Sequence, residues 1–336
     1  MSNQVRWGVL STADIGLKKV IPGMLRASNC EMVAIASREL AKAADAAQKL
    51  GLAKAYGSYE ALLESPDIDA VYNPLPNHLH LPWTVRAMQA GKHVLCEKPI
   101  TLNVAECRRM IEVRDQCRVL AGEAFMVHSH PQWLRTREIV RSGEIGELRA
   151  IQGFFSYDLR DPANVRNILE YGGGGLLDIG CYPITTSRWV LGREPRRVVG
   201  LVERDPSFGI DRLSSAILDF DGCQSVFTVG TQINACQRMQ FIGTRGRIEI
   251  EIPFNAPPDR PTRLWVDIGG DLFGDGVREE TIPVCDQYTA QGQAFSRAIL
   301  EGAPVPTPLE DALANMAVIE ALFRSEKSGQ WEQPEE

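Results

Sequence analysis

Short apolar runs alternate with longer amphipathic runs over about the first 125 residues. The apolar runs predict buried strands, and the amphipathic runs predict helices. This alternation is typical of β-α-β units around a parallel sheet. Pro22 predicts a kink or a late start in the first helix, which ends near Ser28. The predicted strands cover residues 5–10, 31–36, 68–72, 93–96 and 119–124, and the later helices cover 38–50, 59–64, 80–90 and 104–117.

The pattern changes after Phe125 to long alternating runs joined by tight turns. Such runs predict a mostly antiparallel sheet, and Asp221-Gly222 and Arg245-Gly246 are hairpin signals. We therefore expect two α/β domains, residues 1–125 and 126–336. The second contains predicted strands at 150–157, 197–202, 215–220, 225–231, 238–242 and 247–252, and predicted helices at 287–300 and 309–327.

Composition narrows the class of protein. The formal net charge is −7 with both signs mixed along the chain, which argues against a nucleic-acid-binding surface. No apolar stretch is long enough to span a bilayer, and Met1 to Arg6 has no export-signal pattern.

The eight cysteines form no Cys-x-x-Cys pair, and Cys30, Cys96 and Cys223 lie in apolar runs. We interpret them as reduced, buried side chains and expect a cytoplasmic protein.

The turn after the first strand reads Ser11-Thr12-Ala13-Asp14-Ile15-Gly16. It matches the dinucleotide fingerprint G-x-G-x-x-G only if Ser11 and Ala13 replace the first two glycines. The fingerprint needs a tight turn, close backbone approach to a pyrophosphate and a helix amino terminus. The Cβ of Ser11 weakens the first of these features. The turn alone is equally compatible with an ordinary strand-to-helix connection, whereas its place between two strands favours a nucleotide.

The tip of the second strand distinguishes NAD from NADP. An acidic side chain there accepts from the ribose 2′-hydroxyl, whereas an arginine pairs with a 2′-phosphate. The strand ends in Ser37 and Arg38, and Lys42 follows. These residues favour NADP(H) over NAD(H). The alternative is that Arg38 is a solvated charge at the start of a helix.

A lysine is predicted at the carboxyl end of a strand, in the run from Gly91 to Pro99. Ligands of open α/β sheets bind outside the carboxyl ends of the strands. Lys98, which lies between Glu97 and Pro99, is therefore a candidate proton donor or acceptor.

A second candidate motif combines a glycine run, Gly172 to Gly175, with Asp178 and Tyr182. The last two are four residues apart, so a helix would present both on one face. A phenol and a carboxylate beside a lysine form a set for proton transfer. The glycine run suggests a ligand-facing loop. The alternative is that Asp178 pairs locally while Tyr182 packs in the core.

The histidines do not favour a metal site. His78 with His80, and His128 with His130, lack helical i,i+4 spacing, and no further histidine or cysteine cluster completes a ligand set. We predict no metal.

Together these motifs resemble the family of glucose-fructose oxidoreductases and inositol dehydrogenases, known as GFO/IDH/MocA. The resemblance implies an amino-terminal Rossmann dinucleotide-binding domain and a carboxyl-terminal α/β domain with a large open, mostly antiparallel sheet. It also implies homodimers or homotetramers that pack through that sheet. The matching segments are the degenerate glycine turn, Tyr72 to His80, Glu97 to Pro99, Glu123 to Met126 with His130-Pro131, and Gly172 to Tyr182.

The resemblance also implies residue roles. Lys98 would reach the reacting oxygen, Asp178 would orient the substrate, and Tyr182 would exchange the proton. Tyr157 and Arg160, at the end of the first predicted strand of the second domain, are further candidates for substrate contact, and the alternative for Arg160 is a surface charge. The implied cofactor contacts are Ser11, Thr12, Ala13 and Ile15 at the pyrophosphate, Ser37 and Arg38 with Lys42 at the 2′-phosphate, and Leu75, Asn77, His80, Glu97 and Lys98 at the nicotinamide side.

Many members of the family carry histidine where this chain has Tyr182. Members with tyrosine resemble glucose-fructose oxidoreductase, NADP-dependent xylose dehydrogenase and dimeric dihydrodiol dehydrogenase. The resemblance therefore implies an NADP(H)-dependent oxidoreductase that transfers hydride to or from a sugar or polyol, with an aldose 1-dehydrogenase favoured. The alternatives are a ketosugar reductase, a trans-dihydrodiol dehydrogenase or a non-catalytic NADP(H)-sensing regulator.

Overall fold

The computed structural model describes residues 3–270 and 272–335, and the chain forms two compact units. The first unit contains the chain up to Ser129 together with Asp286–Ala312. The second contains His130–Cys285 and the chain from Leu313 onward. The described boundary thus differs from a single division near residue 125, because a late segment returns to the first unit.

The returning segment is held by contacts that are remote in sequence. Within the first unit, Trp7 Nε1 donates to Ser296 Oγ at 3.1 Å, and the Trp7 and Phe295 rings lie 5.7 Å apart. Contacts between residues nearly 290 positions apart leave no local pattern, so a sequence argument cannot detect the return.

The first unit contains a parallel sheet of six described strands. Their spatial order is β3-β2-β1-β4-β5-β6, so the order reverses between β1 and β4. The crevice at such a reversal is where doubly wound sheets bind ligands. The strands are β1 (Val5–Leu10), β2 (Cys30–Ala36), β3 (Lys54–Tyr56), β4 (Ala70–Asn73), β5 (His93–Cys96) and β6 (Ala121–Glu123).

Helices connect these strands as predicted. Pro22 is the second residue of the first α-helix, which follows a π-helical turn at Gly16–Val20, so the late start is confirmed. Sequence reasoning missed the three-residue strand β3. The described helices of this unit are α1 (Ile21–Met24), α2 (Leu40–Leu50), α3 (Tyr59–Leu63), α4 (His80–Gln89), α5 (Val104–Cys117) and, from the returning segment, α8 (Gln287–Glu301).

The second unit contains a mixed sheet of eight described strands, ordered β14-β13-β12-β11-β7-β10-β9-β8. Its neighbouring strands are antiparallel except for β10 and β7. The predicted α/β fold class is therefore confirmed. The strands are β7 (Leu148–Asp158), β8 (Arg197–Arg204), β9 (Asp211–Asp219), β10 (Gln224–Gly230), β11 (Gln232–Gly243), β12 (Arg247–Ile250), β13 (Thr262–Asp267) and β14 (Val277–Ile282).

Sequence reasoning missed β13 and β14. Half of the residues of the edge strand β14 are charged, and most of the strand is partly or fully exposed. Charged edge strands discourage pairing with other chains, and the same charges hide the strand in a hydrophobicity pattern.

One face of this sheet packs against helices. The Trp133 ring on α6 (Pro131–Ser142) lies edge-on to Phe241 at 6.0 Å. Further contacts come from α7 (Cys181–Leu191) and from the part of α9 (Leu309–Ser328) that belongs to this unit. The other face carries the exposed apolar residues Leu201, Ile217 and Val226.

Candidate functional site

The turn after β1 adopts the conformation that the dinucleotide fingerprint needs. Ser11 has φ +87°, in the left-handed region that normally requires glycine, and its amide donates to Ala36 O at 2.9 Å. Its side chain compensates in part, because Ser11 Oγ accepts from the Ala13 amide at 3.0 Å. The Cβ therefore does not prevent the tight turn. This geometry fits the approach of a pyrophosphate to the backbone of residues 11–15.

The tip of β2 carries both the predicted cations and a carboxylate that the sequence argument passed over. Ser37 is buried, and its hydroxyl accepts from the Glu39 amide at 3.3 Å. Arg38 is exposed and lies beside Tyr59, whose pKa is raised by burial and lowered in part by Arg38. Lys42 Nζ pairs with Glu39 at 2.7 Å. Arg38 is thus the more available cation for a 2′-phosphate.

The loop after β4 is organised by His80, which is fully buried. Its Nδ1 lies 2.8 Å from Pro99 O and its Nε2 lies 2.6 Å from Leu75 O. Burial lowers the pKa of His80 to about 4, whereas its hydrogen bonds with the Pro99 and Leu75 carbonyls act in the opposite direction. Both ring nitrogens face backbone carbonyls, so His80 positions the segments of Leu75 and Pro99. Asn77 begins a short 3-10 turn in the same loop.

Glu97 and Lys98 follow β5 at the carboxyl edge of the sheet, as predicted. Tyr72 donates its hydroxyl hydrogen to Glu97 Oε1 at 2.6 Å, and the Glu97 amide donates to Asn73 O at 3.0 Å. Burial, followed by the Glu97 charge, raises the pKa of Tyr72 far above its usual value. Tyr72 therefore stays a hydrogen-bond donor that orients Glu97. Lys98 is half-buried, and its peptide bond to Pro99 is cis.

In the second unit, two side chains donate hydrogen bonds to the same carboxylate oxygen. Tyr157 donates its hydroxyl hydrogen to Asp178 Oδ2 at 2.6 Å, and Arg166 Nε donates to the same oxygen at 3.0 Å. We call Tyr157, Arg166 and Asp178 the carboxylate cluster. Burial, followed by the Asp178 charge, raises the pKa of Tyr157 well above its usual value, so its phenol stays protonated.

Tyr182 lies on α7 in the same unit and is buried. Its ring lies 5.6 Å from Phe155 at 70° and 5.2 Å from Phe254. Arg166 is close enough for Tyr182 to contribute to raising the pKa of that arginine, after the larger effect of Asp178. Asp178 lies in a π-helical turn, Leu176–Gly180, that leads into α7. The structure thus shows both features of the structural alternative for this pair: the Tyr182 ring is packed against aromatic rings, and the Asp178 carboxylate is hydrogen-bonded within the same unit.

The glycine run is buried, which corrects its interpretation as a ligand-facing loop. We call Gly172–Gly175 the glycine segment. A Cβ on Gly173 would overlap with Arg166 O, and a Cβ on Gly174, where φ is +124°, would overlap with Asp211 Oδ1. The glycines are required because the protein's own atoms approach this backbone.

Arg160 does not join the carboxylate cluster. Its Nε pairs with Asp158 at 2.8 Å, and its NH2 group donates to Gln232 O at 2.9 Å. Sequence reasoning missed Arg166 and Asp211, for which no motif exists, because both reach the site through tertiary packing.

Metal-ligand groups, membrane-spanning helices and cysteines complete the description of the side chains and elements that bear on function. Within residues 3–270 and 272–335, no group of three or more His, Cys, Asp and Glu side chains is placed to hold a metal. None of the helices described is long and apolar enough to cross a membrane. All eight cysteines are free; five, including Cys30, Cys96 and Cys223, are buried as expected, whereas Cys236 is exposed.

The fold and these groups match known proteins. A family model described as "Oxidoreductase family, NAD-binding Rossmann fold" matches residues 5–124, and another described as "GFO/IDH/MocA C-terminal domain" matches residues 133–249. The uncharacterized oxidoreductase ORF334 of Rhizobium meliloti is 46% identical over 329 residues, 98% of each chain. D-xylose 1-dehydrogenase (NADP(+)) 2 of Haloferax volcanii is 36% identical over 325 residues, 96% of this chain and 98% of the relative.

A solved structure of a similar protein has the same fold. KijD10, a 3-ketoreductase from Actinomadura kijaniata in complex with NADP and TDP-benzene, superposes with a TM-score of 0.88 at 30% identity, covering 96% of this chain and 98% of that chain. The fold and the site define an NAD(P)-dependent oxidoreductase. The chain belongs to the GFO/IDH/MocA family.

Proposed function

We propose that this protein transfers hydride between NADP(H) and a hydroxyl or carbonyl carbon of a sugar or polyol, with aldose 1-dehydrogenation favoured. The observation that carries the proposal is the carboxylate cluster beside Tyr182, because a phenol and an oriented carboxylate suit the binding and deprotonation of a sugar hydroxyl. The D-xylose 1-dehydrogenase relative, similar over nearly its whole length, supports the aldose reaction.

The first unit is proposed to hold the cofactor. The left-handed turn at Ser11 leaves the backbone of residues 11–15 able to approach a pyrophosphate. When bound, the nicotinamide accepts or supplies the hydride. The proposed contacts are Ser11, Thr12, Ala13 and Ile15 for the pyrophosphate, Ser37, Arg38 and Lys42 for the 2′-phosphate, and Leu75, Asn77, Glu97 and Lys98 for the nicotinamide side. His80 is fully buried between two backbone carbonyls, so we assign it the positioning of the Leu75 segment in place of the expected direct contact.

Proton transfer is assigned to Tyr182 and Lys98. In oxidation Tyr182 accepts the hydroxyl proton with help from Lys98, and in reduction it returns the proton to the new alkoxide. Asp178 accepts a hydrogen bond from the substrate, because Tyr157 and Arg166 favour its ionised form. Tyr157 is not the base, since its phenol stays protonated.

A ketosugar reductase is the second candidate, supported by the likeness to the 3-ketoreductase KijD10. Solved forms of that enzyme include one with a tyrosine changed to phenylalanine and one with a lysine changed to alanine. A tyrosine and a lysine can transfer the proton in either direction of the reaction. The two candidates are therefore distinguished by whether the enzyme turns over aldoses or ketosugars.

The preference for NADP(H) rests on Arg38. Its charge is exposed beside the tip of β2, whereas the nearest carboxylate, Glu39, is paired with Lys42. A paired carboxylate competes less well for a ribose 2′-hydroxyl, which favours the phosphorylated nucleotide.

Homo-oligomers are proposed to pack through the open face of the second unit's sheet. Ile217 and Val226 lie opposite each other on β9 and β10, and Leu201 lies nearby on β8 with 77% of its surface exposed. Three exposed apolar side chains on one sheet face favour burial against a second copy.

The test combines binding and turnover. Tryptophan fluorescence is titrated with NADPH and NADH, and aldoses, polyols, ketosugars and diols are then screened at the reduced-nicotinamide absorbance. We expect tighter NADPH binding and turnover of at least one aldose that is lost in Tyr182→Phe. Turnover of only ketosugars would replace the first candidate by the second, and NADPH binding without any turnover would contradict both.

A further inference from the structure

Asp211, the first residue of β9, is a buried carboxylate with no part in the proposed chemistry. Only 2% of its surface is exposed. Its Oδ2 accepts from the Leu176 amide at 2.6 Å and from Ser214 Oγ at 3.2 Å. Leu176 opens the π-helical turn that contains Asp178 and leads into the helix of Tyr182. One carboxylate oxygen therefore binds the backbone at the start of the segment that carries both proposed functional groups.

The glycine segment is shaped around this carboxylate. A Cβ on Gly174 would overlap with Asp211 Oδ1, and one on Gly175 would lie 3.2 Å from Asp211 O. On its other side the Gly174 amide donates to Arg166 O at 3.0 Å. The segment is thus held between Asp211 and the backbone of the arginine whose side chain binds Asp178.

Burying a carboxylate costs folding free energy unless the group is paired or hydrogen-bonded. Asparagine could supply a neutral acceptor of the same size, so the acid is not required by shape alone. The ionised form accepts a hydrogen bond from an amide more strongly than a neutral group does.

We propose that Asp211 is a positioning residue that fixes the glycine segment and thereby the placement of Asp178 and Tyr182. This inference rests on the proposed function of those two residues. Asp211 does not touch the reacting atoms, and it acts through the Leu176 amide.

The charge of Asp211 makes this positioning dependent on pH. Burial raises the pKa of Asp211 to about 7, while its bonds from Leu176 and Ser214 and the charge of Arg204 lower it in part. Arg204 on β8 and Tyr157 on β7 are the charged and titratable groups described as interacting with it. Asp211 therefore changes charge near pH 7, so the Leu176 amide donates to a neutral carboxyl below that pH and to a carboxylate above it.

The first experiment measures amide hydrogen exchange of residues 172–180 in the whole protein, corrected for intrinsic rates. We expect exchange in Asp211→Ala to be at least tenfold faster than in the wild type. Asp211→Asn should give an intermediate rate, without the change in protection that the wild type shows between pH 6 and 8. The matched control is Asp219→Asn at the other end of β9, which should exchange like the wild type in this segment.

The second experiment measures kcat and KM against pH with the substrate found in the screen above. Asp211→Asn should lower kcat more than it changes KM. Its plot of kcat against pH should also lack the inflection near pH 7 that the wild type shows, which a merely structural role would not remove. Wild-type exchange in residues 172–180 of Asp211→Asn at every pH would overturn the proposal. Because exchange needs no substrate, that result is separate from a failure of the proposed function; if Asp211→Ala does not fold, the isosteric Asp211→Asn still decides.

Discussion

Tyr157 and Asp178 are joined by a hydrogen bond of 2.6 Å between the phenol and Oδ2, the same oxygen that Arg166 reaches. β7 supplies the tyrosine, whereas Asp178 lies in the turn before α7. The bond therefore fixes the carboxylate relative to the sheet. The strongly raised pKa of Tyr157, caused by burial and the Asp178 charge, keeps this donor protonated through the working pH range.

Replacing Tyr157 by phenylalanine should lower kcat/KM for the sugar by roughly 10- to 100-fold. A hydrogen bond to a charged group contributes about 1.5 to 3 kcal/mol, and without it Asp178 is less well oriented. Steady-state kinetics test this, with NADPH affinity as the internal control. Unchanged kcat/KM would remove Tyr157 from the site.

Replacing Lys98 by alanine should lower kcat by ~10² or more, because a positioned proton-transfer group contributes about that much. NADPH affinity should largely survive. Lys49→Ala, which removes an exposed lysine paired with Asp45, serves as the control for loss of one positive charge. Near-wild-type kcat in Lys98→Ala would contradict its role.

Replacing Arg38 by alanine should weaken NADPH much more than NADH. The expected difference corresponds to a charge-assisted contact of about 1.5 to 3 kcal/mol with the 2′-phosphate. Fluorescence titration of both nucleotides measures it. An equal loss for the two would instead indicate that Arg38 stacks on the adenine.

The fold could be predicted from the sequence to the extent that its signals are local. β1 and β5 were predicted with their described bounds because parallel strands are buried on both faces and appear as apolar runs. The return of residues 286–312 could not be predicted, since it depends on contacts such as Trp7 with Ser296.

The residues of the candidate site also divide into those with a local sequence signal and those without one. Asp178, Tyr182 and Lys98 stand in recognisable motifs, whereas Arg166 and Asp211 carry no motif and enter the site only when strands and turns pack. The glycine segment shows the limit of composition as evidence. Consecutive glycines suggest that other atoms lie close to the backbone, but they do not say whether those atoms belong to a ligand or to the protein. The structure identifies them as Arg166 O and Asp211.

If the protein forms the proposed oligomer, replacing Val226 by aspartate should reduce it to smaller species, because the charge would lie opposite Ile217 on the apolar part of the open sheet face. Light scattering after gel filtration measures the mass. The matched control is Leu134→Asp on α6, which changes an apolar residue of the same unit that is exposed to a similar degree. An unchanged oligomer mass in Val226→Asp would place the contact elsewhere.

Asp211 should also affect the pH dependence of folding stability. Burial raises its pKa to about 7 in the folded chain, from an ordinary value of 3.8, so between these values the folded state holds the proton more often than the unfolded state. Its contribution to the free energy of unfolding is therefore lost as the pH rises through about 7. Between pH 5 and 8 the wild type should lose roughly 2 to 3 kcal/mol relative to Asp211→Asn.

Asp219 provides the control of opposite sign. Burial would raise its pKa, but hydrogen bonds from the Asp221 amide, Arg197 and Arg196 lower it overall. Its contribution is therefore present above the unfolded value and is lost only in acid, so Asp219→Asn should show no added pH dependence between pH 5 and 8. Urea unfolding across this range tests both variants. Parallel stability curves for the wild type and Asp211→Asn would mean that Asp211 is already ionised at pH 5, and its positioning of the glycine segment would then not change near neutral pH.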